Sequence, residues 1–378
     1  MFRFCLALAT SACFSTLAMA QSSFETKAPH AIILDAGTGE VLFEKDARRP
    51  MAPASMTKIM TTQLVFEALA EGSLSPQTEF IVSEEAWRRG GAASGSSTMF
   101  LDLDSKVSVT DLLKGVIIQS GNDACIVLAE GMAGSETAFA VKMTARAQEL
   151  GLSSATFRNS TGWPHAEHVI SAYDLAKLAN LQINKFPELY KLYAQPEFKW
   201  NGINQANRNP LLGRFTGADG MKTGHTEASG YGLVGSAKRG DERRIVVING
   251  LNSLSERRDV STRLMEAAFS QFRVYDLFEA DTEIETIDVF MGKVETVGVA
   301  LSEDIKKGMA IADRKSLSTQ VRYKTAIAPI AKGDVIAELV VDIPGRPSET
   351  YDLVATSDVK RKGLFGRAWA GLINKLRG

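Results

Sequence analysis

Hydrophobic and polar positions along the chain predict strands at both ends of a long helical region. Residues 31–35 form a short apolar run, and residues 41–45 form another after a turn at Gly37-Thr38-Gly39, which predicts a β-hairpin. A second hairpin is predicted where residues 231–237 and 244–248 flank a charged turn. Between these hairpins, helical spacing of apolar residues predicts helices from Ser55 to Gly72 and at 109–118, 123–132, 136–150, 171–184 and 256–273.

This order of elements predicts one α+β domain over residues 24–278. Residues 83–98 are rich in glycine and serine and are predicted to form a mobile loop. From residue 279 the pattern changes to short alternating stretches, which predicts a small all-β domain over residues 279–356. Its strands are expected at 284–290, 294–299, 321–327, 335–341 and 351–355, with turns near Gly308, Gly333, Pro344 and Gly345.

The two ends of the chain carry patterns of their own. Residues 1–20 begin with one positive charge, continue as an uncharged stretch too short and polar to span a membrane, and end in Ala18-Met19-Ala20. They predict a cleaved signal peptide, hence export. Residues 357–378 have no acidic side chain after Asp358, and their apolar residues recur every three to four positions. This pattern predicts an amphipathic helix that binds a membrane surface through residues 360–378, with docking on the protein's own body as the alternative.

Composition narrows the class of protein. The 43 basic and 44 acidic residues nearly balance, so nothing global indicates a nucleic-acid partner. Cys5 and Cys13 lie in the predicted signal peptide, which leaves Cys125 without a partner for an internal disulfide. His165 and His168 stand close together without a third cluster of ligands, so a polar loop is favoured over a metal site. No cofactor is expected.

The most informative short motif is Ser55-Met56-Thr57-Lys58. Residues three apart on a helix share a face, so the Lys58 amine can lie beside the Ser55 hydroxyl. A serine hydroxyl is a weak nucleophile until a base accepts its proton, and a desolvated lysine can be that base. Alone, however, a serine and a lysine at this spacing are common on solvated helices.

Two further triplets strengthen the interpretation. Ser120-Gly121-Asn122 falls at a break between predicted helices, where the hydroxyl can relay a proton and the amide can bind a substrate carbonyl. Lys222-Thr223-Gly224 immediately precedes the second hairpin, where an edge strand would offer its backbone to an extended peptide. The Lys222 ammonium and the Thr223 hydroxyl can bind the terminal carboxylate of such a peptide, and Gly224 lets its backbone approach closely. The conjunction S-x-x-K, S-x-N and K-T-G is a known catalytic signature.

With these motifs the chain resembles the low-molecular-mass penicillin-binding proteins that act as serine-type D-alanyl-D-alanine carboxypeptidases. The resemblance extends over nearly the whole chain, including Asn159-Ser160-Thr161-Gly162, the all-β domain and the tail. It implies that Ser55 attacks the carbonyl between two D-alanines and forms an acyl-enzyme, with Lys58 as base. Penicillin is expected to acylate the same serine.

The resemblance also implies the roles of the remaining residues. Ser120 would relay a proton, Asn122 would bind substrate, and Lys222 would supply electrostatic stabilisation, while the backbone N–H groups of Ser55 and His225 would form an oxyanion hole. An imidazole base at His225 is the competing role. Arg257 is expected to bind the substrate carboxylate, with neighbouring Arg258 as the alternative.

Some features depart from the family or leave its reaction open. Trp163 and the two nearby histidines stand where relatives tend to have a smaller apolar residue and an acidic or polar turn, so substrate preference can differ. The expected protein is a periplasmic enzyme anchored to the inner membrane that trims peptidoglycan stem peptides. An endopeptidase or a β-lactamase would use the same motifs, and a non-catalytic peptidoglycan-binding scaffold is the alternative from another class.

Overall fold

The computed structural model describes residues 24–363, which divide into two compact units. The large unit comprises residues 24–279 and 304–311, and the small unit comprises residues 280–303 and those from 312 onward. The predicted signal peptide and residues 364–378 of the predicted tail helix lie outside the described residues.

The α-helices, in chain order, are α1 Lys58–Ala70, α2 Val109–Lys114, α3 Asn122–Ala133, α4 Glu136–Glu149, α5 Ala172–Lys185, α6 Pro187–Tyr190 and α7 Leu254–Ser270. Short 3-10 turns occupy Ala54–Thr57, Ala92–Ser94, Lys191–Ala194 and Ala312–Ser316, and π-helical turns occupy Ala86–Gly90 and Gly115–Gln119.

The strands, in chain order, are β1 His30–Asp35, β2 Val41–Lys45, β3 Pro50–Met51, β4 Glu79–Ile81, β5 Lys106–Ser108, β6 Ile170–Ser171, β7 Glu197–Trp200, β8 Ile203–Ala206, β9 Ala218–Thr226, β10 Gly230–Arg239, β11 Glu242–Leu251, β12 Phe272–Phe278, β13 Glu283–Phe290, β14 Thr296–Ala300, β15 Ile305–Ala310, β16 Ser318–Arg322, β17 Ala326–Ile327, β18 Val335–Asp342 and β19 Glu349–Ala355.

An antiparallel sheet in the order β2-β1-β11-β10-β9 forms the centre of the large unit. Side chains alternate between its two faces, so Ile32 and Leu34 of β1 join one core while Ala31 and Ile33 join another. The first core also contains helices α1 to α5, and the second contains α7. The sheet is therefore covered on both faces, and β9 lies at its edge.

The α+β class is as predicted for the large unit, and both predicted hairpins are present as β1–β2 and β10–β11. Two local predictions were wrong, and one hairpin was missed. Residues 83–98 are not one irregular loop, because Ala86–Gly90 forms a π-helical turn whose Gly90 packs against the backbone of Asp123. The last predicted helix ends at Ser270, and residues 272–278 form β12 instead. The β7–β8 hairpin was not predicted.

The small unit contains a sheet in the order β16-β18-β19-β14-β13-β17, in which only the β13–β17 pair is parallel. Its all-β character is as predicted, although the stretch predicted at 321–327 divides into β16 and β17. Strand β15 pairs with β12 and belongs to the large unit. Val359 and Arg361, at the start of the predicted tail, form isolated β-bridges with Ile330 and Gly292.

No single helix within residues 24–363 is long and apolar enough to cross a membrane; helices α3 and α4, bent by 80°, satisfy the length and composition criteria only as a pair.

Candidate active site

Ser55 lies in the 3-10 turn Ala54–Thr57, which leads directly into α1. Pro53 precedes the turn, and Ala54 adopts a φ of 48°. Tight 3-10 geometry carries Lys58 round to the side of Ser55, so that the Lys58 Nζ donates to Ser55 Oγ over 2.9 Å. The spacing predicted from the motif is thus realised in the structure.

The Lys58 amine has three hydrogen-bond acceptors and is only 1% exposed. Besides Ser55 Oγ, it donates to Asn122 Oδ1 over 2.8 Å and to the carbonyl oxygen of Thr161 over 2.7 Å. Burial lowers the pKa of Lys58 to about 8, and the positive charge of Arg208 acts in the same direction. A substantial fraction of this lysine is therefore neutral near physiological pH.

Ser120 and Asn122 approach the same amine from the break before α3. Ser120 has a φ of 60°, which ends the π-helical turn and reverses the chain into the helix. The Asn122 amide nitrogen donates to Ser96 Oγ over 3.0 Å, which leaves its oxygen directed at Lys58. Asp123, which was not a predicted site residue, accepts hydrogen bonds from the Thr98 hydroxyl and from the backbone N–H groups of Met99 and Leu101, and holds that loop beside Asn122.

Lys222, Thr223 and Gly224 lie on edge strand β9 and are buried. Lys222 Nζ donates to Ser120 Oγ over 2.9 Å and to the Thr223 carbonyl over 3.2 Å. The pKa of Lys222 lies well below its usual value. Burial is the main cause, and the positive charges of Lys58 and Arg208 lower it further. A Cβ on Gly224 would lie 2.7 Å from the Pro53 carbonyl oxygen, so glycine allows β9 to contact the turn that carries Ser55.

The two arginines considered for carboxylate binding point in different directions. Arg257 is 6% exposed, its Nη1 donates to the Gly224 carbonyl over 3.4 Å, and its Nε has no partner. Arg258 is exposed and pairs with Asp259. The structure therefore places Arg257, and not Arg258, beside the K-T-G strand.

His225 is exposed and its ring stacks on Tyr231, with 3.8 Å between ring centroids. The hydrogen-bond partner of Ser55 is Lys58, not the His225 imidazole. His168 bonds Thr57 and His165 accepts from the Glu167 N–H. Within residues 24–363, no group of three or more histidine, cysteine or acidic side chains is placed to hold a metal ion.

Sequence reasoning missed Arg208 and the Thr161 carbonyl. Arg208 donates to Ser97 Oγ over 2.5 Å, beside the Ser96 that bonds Asn122, and its charge acts on Lys58, Lys222 and Arg257. No motif marks this arginine. The Asn159–Gly162 tetrapeptide is part of the resemblance. That the Thr161 carbonyl oxygen accepts a hydrogen bond from Lys58 could not be predicted, because it depends on how this loop folds.

A buried lysine bonded to a serine, a second lysine–serine pair and an adjoining edge strand define a serine acyltransferase of the penicillin-binding class. A family model described as D-alanyl-D-alanine carboxypeptidase matches residues 17–252, and one described as Penicillin-binding protein 5, C-terminal domain, matches residues 272–361. The chain belongs to the D-alanyl-D-alanine carboxypeptidase family and is a serine-type D-Ala-D-Ala carboxypeptidase.

Similar proteins share almost its full length. D-alanyl-D-alanine carboxypeptidase DacC of Escherichia coli is 37% identical over 342 residues, covering 89% of this chain and 86% of the relative. DacF of Bacillus subtilis is 35% identical over 354 residues, covering 91% and 89%. The crystal structure of DacD from Francisella tularensis is 31% identical, with a TM-score of 0.79, and the match covers 90% of this chain and 95% of that one.

A further structure is that of Penicillin-Binding Protein D2 from Listeria monocytogenes in its ampicillin-bound form. It is 28% identical, with a TM-score of 0.57, and the match covers 66% of this chain and all of that one.

Proposed function

We propose that Ser55 is the nucleophile and Lys58 its base in removing the terminal D-alanine of a peptidoglycan stem peptide. The observation that carries this proposal is the set of three acceptors around the Lys58 amine. The Asn122 amide oxygen and the Thr161 carbonyl can only accept hydrogen bonds. When the amine is neutral, its two N–H groups go to these oxygens, and its lone pair faces the Ser55 hydroxyl.

In the acylation step, Ser55 Oγ bonds to the carbonyl carbon between the two D-alanines as its proton passes to Lys58. The backbone N–H groups of Ser55 and His225 stabilise the oxyanion of the tetrahedral intermediate. The C–N bond then breaks, and D-alanine leaves with a proton relayed through Ser120. Water hydrolyses the resulting ester and regenerates the free serine. The 2.9 Å bond between Lys222 and Ser120 supports the relay, because it orients the Ser120 hydroxyl.

The positive charges near β9 are suited to bind the free carboxylate of the terminal D-alanine, the residue that departs. Lys222, Arg257 and Arg208 act on one another electrostatically, and within residues 24–363 neither Lys222 nor Arg257 has a carboxylate among its hydrogen-bond partners. Burial lowers the pKa of Arg257 to about 10, which expresses the free-energy cost of holding this charge in the fold. The terminal carboxylate of the substrate offsets that cost by pairing with these cations, and the Thr223 hydroxyl donates a hydrogen bond to the same carboxylate.

The decisive experiment combines covalent labelling with product release. A fluorescent penicillin should label the wild-type protein and fail to label Ser55→Ala, while Ser73→Ala, an exposed serine elsewhere on the large unit, should label normally. Equal labelling of Ser55→Ala and the wild type would end the proposal. Release of D-alanine from a stem pentapeptide supports the carboxypeptidase reaction, whereas rapid turnover of penicillin without D-alanine release would indicate a β-lactamase. Cleavage of cross-linked dimers alone would indicate an endopeptidase.

We further propose that the protein is exported and bound to the outer face of the inner membrane by residues 360–378. Cell-wall enzymes among the relatives support export, and the cationic, amphipathic sequence of the tail supports membrane binding. Because Val359 and Arg361 form β-bridges, a chain ending at Gly363 keeps these contacts and removes only the remainder of the tail. That chain should retain penicillin labelling and lose sedimentation with anionic vesicles; if it still sediments, the anchor lies elsewhere.

A further inference from the structure

The loop of residues 159–168 packs directly against the turn that carries Ser55. At Gly162, whose φ is 88°, a Cβ would lie 1.9 Å from the Ala54 carbonyl oxygen and 2.9 Å from Thr57 Oγ1. No side chain at position 162 would fit between the two segments. We call the turn Ala54–Thr57 the nucleophile turn. Because protein interiors are close-packed, a movement of the loop displaces this turn as well.

One buried side-chain hydrogen bond joins the two segments. His168 Nε2 lies 2.8 Å from Thr57 Oγ1, and the two residues are 2% and 0% exposed. His168 Nδ1 accepts from the Arg158 backbone N–H over 3.2 Å. A neutral imidazole that accepts at Nδ1 carries its proton on Nε2, so His168 donates to the threonine hydroxyl.

The surroundings keep this ring neutral. Burial lowers the pKa of His168 to about 4, and His165, Arg158 and Lys58, all positive or able to become so, act in the same direction. The rings of Phe157 and His168 pack in a T-shaped arrangement, with 5.5 Å between their centroids and an angle of 81° between their planes. His168 therefore has one tautomer and one orientation at the pH of catalysis.

Thr57 stands between the two reacting residues of the turn. Its backbone links Ser55 and Met56 to Lys58, and a β-branched side chain has few χ1 rotamers, so fixing its hydroxyl fixes the turn. The Lys58 to Ser55 distance of 2.9 Å depends on that turn. Proton transfer from serine to lysine is sensitive to displacements of a fraction of this distance.

We propose that His168 is a positioning residue for acylation, holding the Ser55–Lys58 pair in reactive geometry through its hydrogen bond to Thr57. It does not contact the substrate and transfers no proton in the reaction. The inference rests on the proposed function, in which Ser55 is the nucleophile.

The experiment measures the acylation rate constant and the dissociation constant of the initial complex separately, with a fluorescent penicillin as probe. His168→Leu and Thr57→Val remove the bond, and each should lower the rate constant about tenfold or more while leaving the dissociation constant within about twofold. His168→Gln supplies an N–H donor and Thr57→Ser keeps the hydroxyl, so both should restore most of the rate. Glu167→Gln removes the exposed ion pair with Arg158 on the same loop and is the matched control.

The double variant Thr57→Val/His168→Leu should be no slower than the slower single variant, because both remove the same bond. Wild-type acylation rates in folded Thr57→Val, or losses confined to the dissociation constant, would overturn the proposal. Thr57→Val carries the test if His168→Leu does not fold, since it replaces one hydroxyl with a methyl group. Failure of the proposed function is recognised separately, by normal labelling of Ser55→Ala.

Discussion

Two opposing influences act on the Lys58 amine. Three acceptors within 2.9 Å favour the ammonium form, whereas complete burial and the nearby Arg208 favour the neutral form. Burial is the larger influence, and the pKa of Lys58 settles at about 8. A lysine with its ordinary pKa would be almost entirely protonated at neutral pH and a poor base.

This balance predicts the pH dependence of acylation. Only neutral Lys58 can accept the serine proton, so the acylation rate should rise about tenfold per pH unit below the pKa of about 8 and level off above it. Stopped-flow measurement with a fluorescent penicillin between pH 6 and pH 10 provides the profile. Lys58→Arg keeps a cation that cannot deprotonate and should be inactive throughout. A flat wild-type profile would exclude Lys58 as the titrating base.

The sequence could predict those site residues that belong to short motifs, because local spacing decides which side chains share a helical turn or a strand. It favoured Arg257 over Arg258 but could not exclude the alternative, since the direction of each side chain depends on how α7 packs against the sheet. Arg208 escaped prediction for a similar reason. Its place beside Ser97 is set by contacts between segments 111 residues apart.

At the level of elements, the meeting of β9 with the nucleophile turn brings the three motifs together. Among the residues that the structure describes, strand β9 pairs with β10 alone, so its other edge faces the turn and is available to an extended peptide. The close approach depends on Gly224, whose hydrogen faces the Pro53 carbonyl and the Met56 side chain.

Gly224→Ala should therefore slow acylation without unfolding the protein. The added methyl group would lie 2.7 Å from the Pro53 carbonyl oxygen and 3.2 Å from Met56 Cγ, so strand and turn must separate. We expect a loss of about tenfold or more in the acylation rate constant, since misplacement by a fraction of an ångström is costly in catalysis. Gly37→Ala, whose methyl group would meet nothing closer than 3.5 Å, is the control. Equal rates for the two variants would show that the approach is not needed.

Element boundaries show why prediction from sequence was incomplete. Helix α7 was predicted to continue to residue 273, yet Phe272 begins β12, because pairing with β15 satisfies the backbone of residues 272–278. Gly308 was predicted at a turn but lies within β15. A Cβ there would meet Leu42 Cδ2 at 2.6 Å and the Val41 carbonyl at 2.8 Å. The glycine permits close packing, which is a long-range requirement invisible to local pattern.

At the scale of the whole molecule, the chain leaves the large unit after residue 279 and returns to it for residues 304–311. Strand β15 thus completes a unit that is otherwise continuous in sequence. Gly308 on this strand packs against Val41 and Leu42 of β2. The stability of the penicillin-binding unit should then depend on a residue from beyond the predicted boundary at 278.

Gly308→Ala tests this dependence. The added methyl group would lie 2.6 Å from Leu42 Cδ2 and 2.8 Å from the Val41 carbonyl oxygen, and this overpacking should lower the free energy of unfolding by about 1–3 kcal/mol. The urea concentration at which penicillin labelling is half lost should fall accordingly. Val335→Ala, at a residue that is 57% exposed in the small unit, should leave that midpoint unchanged. An unchanged midpoint for Gly308→Ala would mean that the labelling unit does not depend on the packing of β15 against β2.

Cys125 on α3 is the one cysteine among residues 24–363, and its thiol is fully buried. Burial raises its pKa to about 12, so it remains a protonated thiol rather than a reactive thiolate. Among residues 24–363 it has no second cysteine with which to form a disulfide. A cysteine introduced on the surface of this part of the chain would therefore be its single accessible thiol, and the single point at which a maleimide dye attaches.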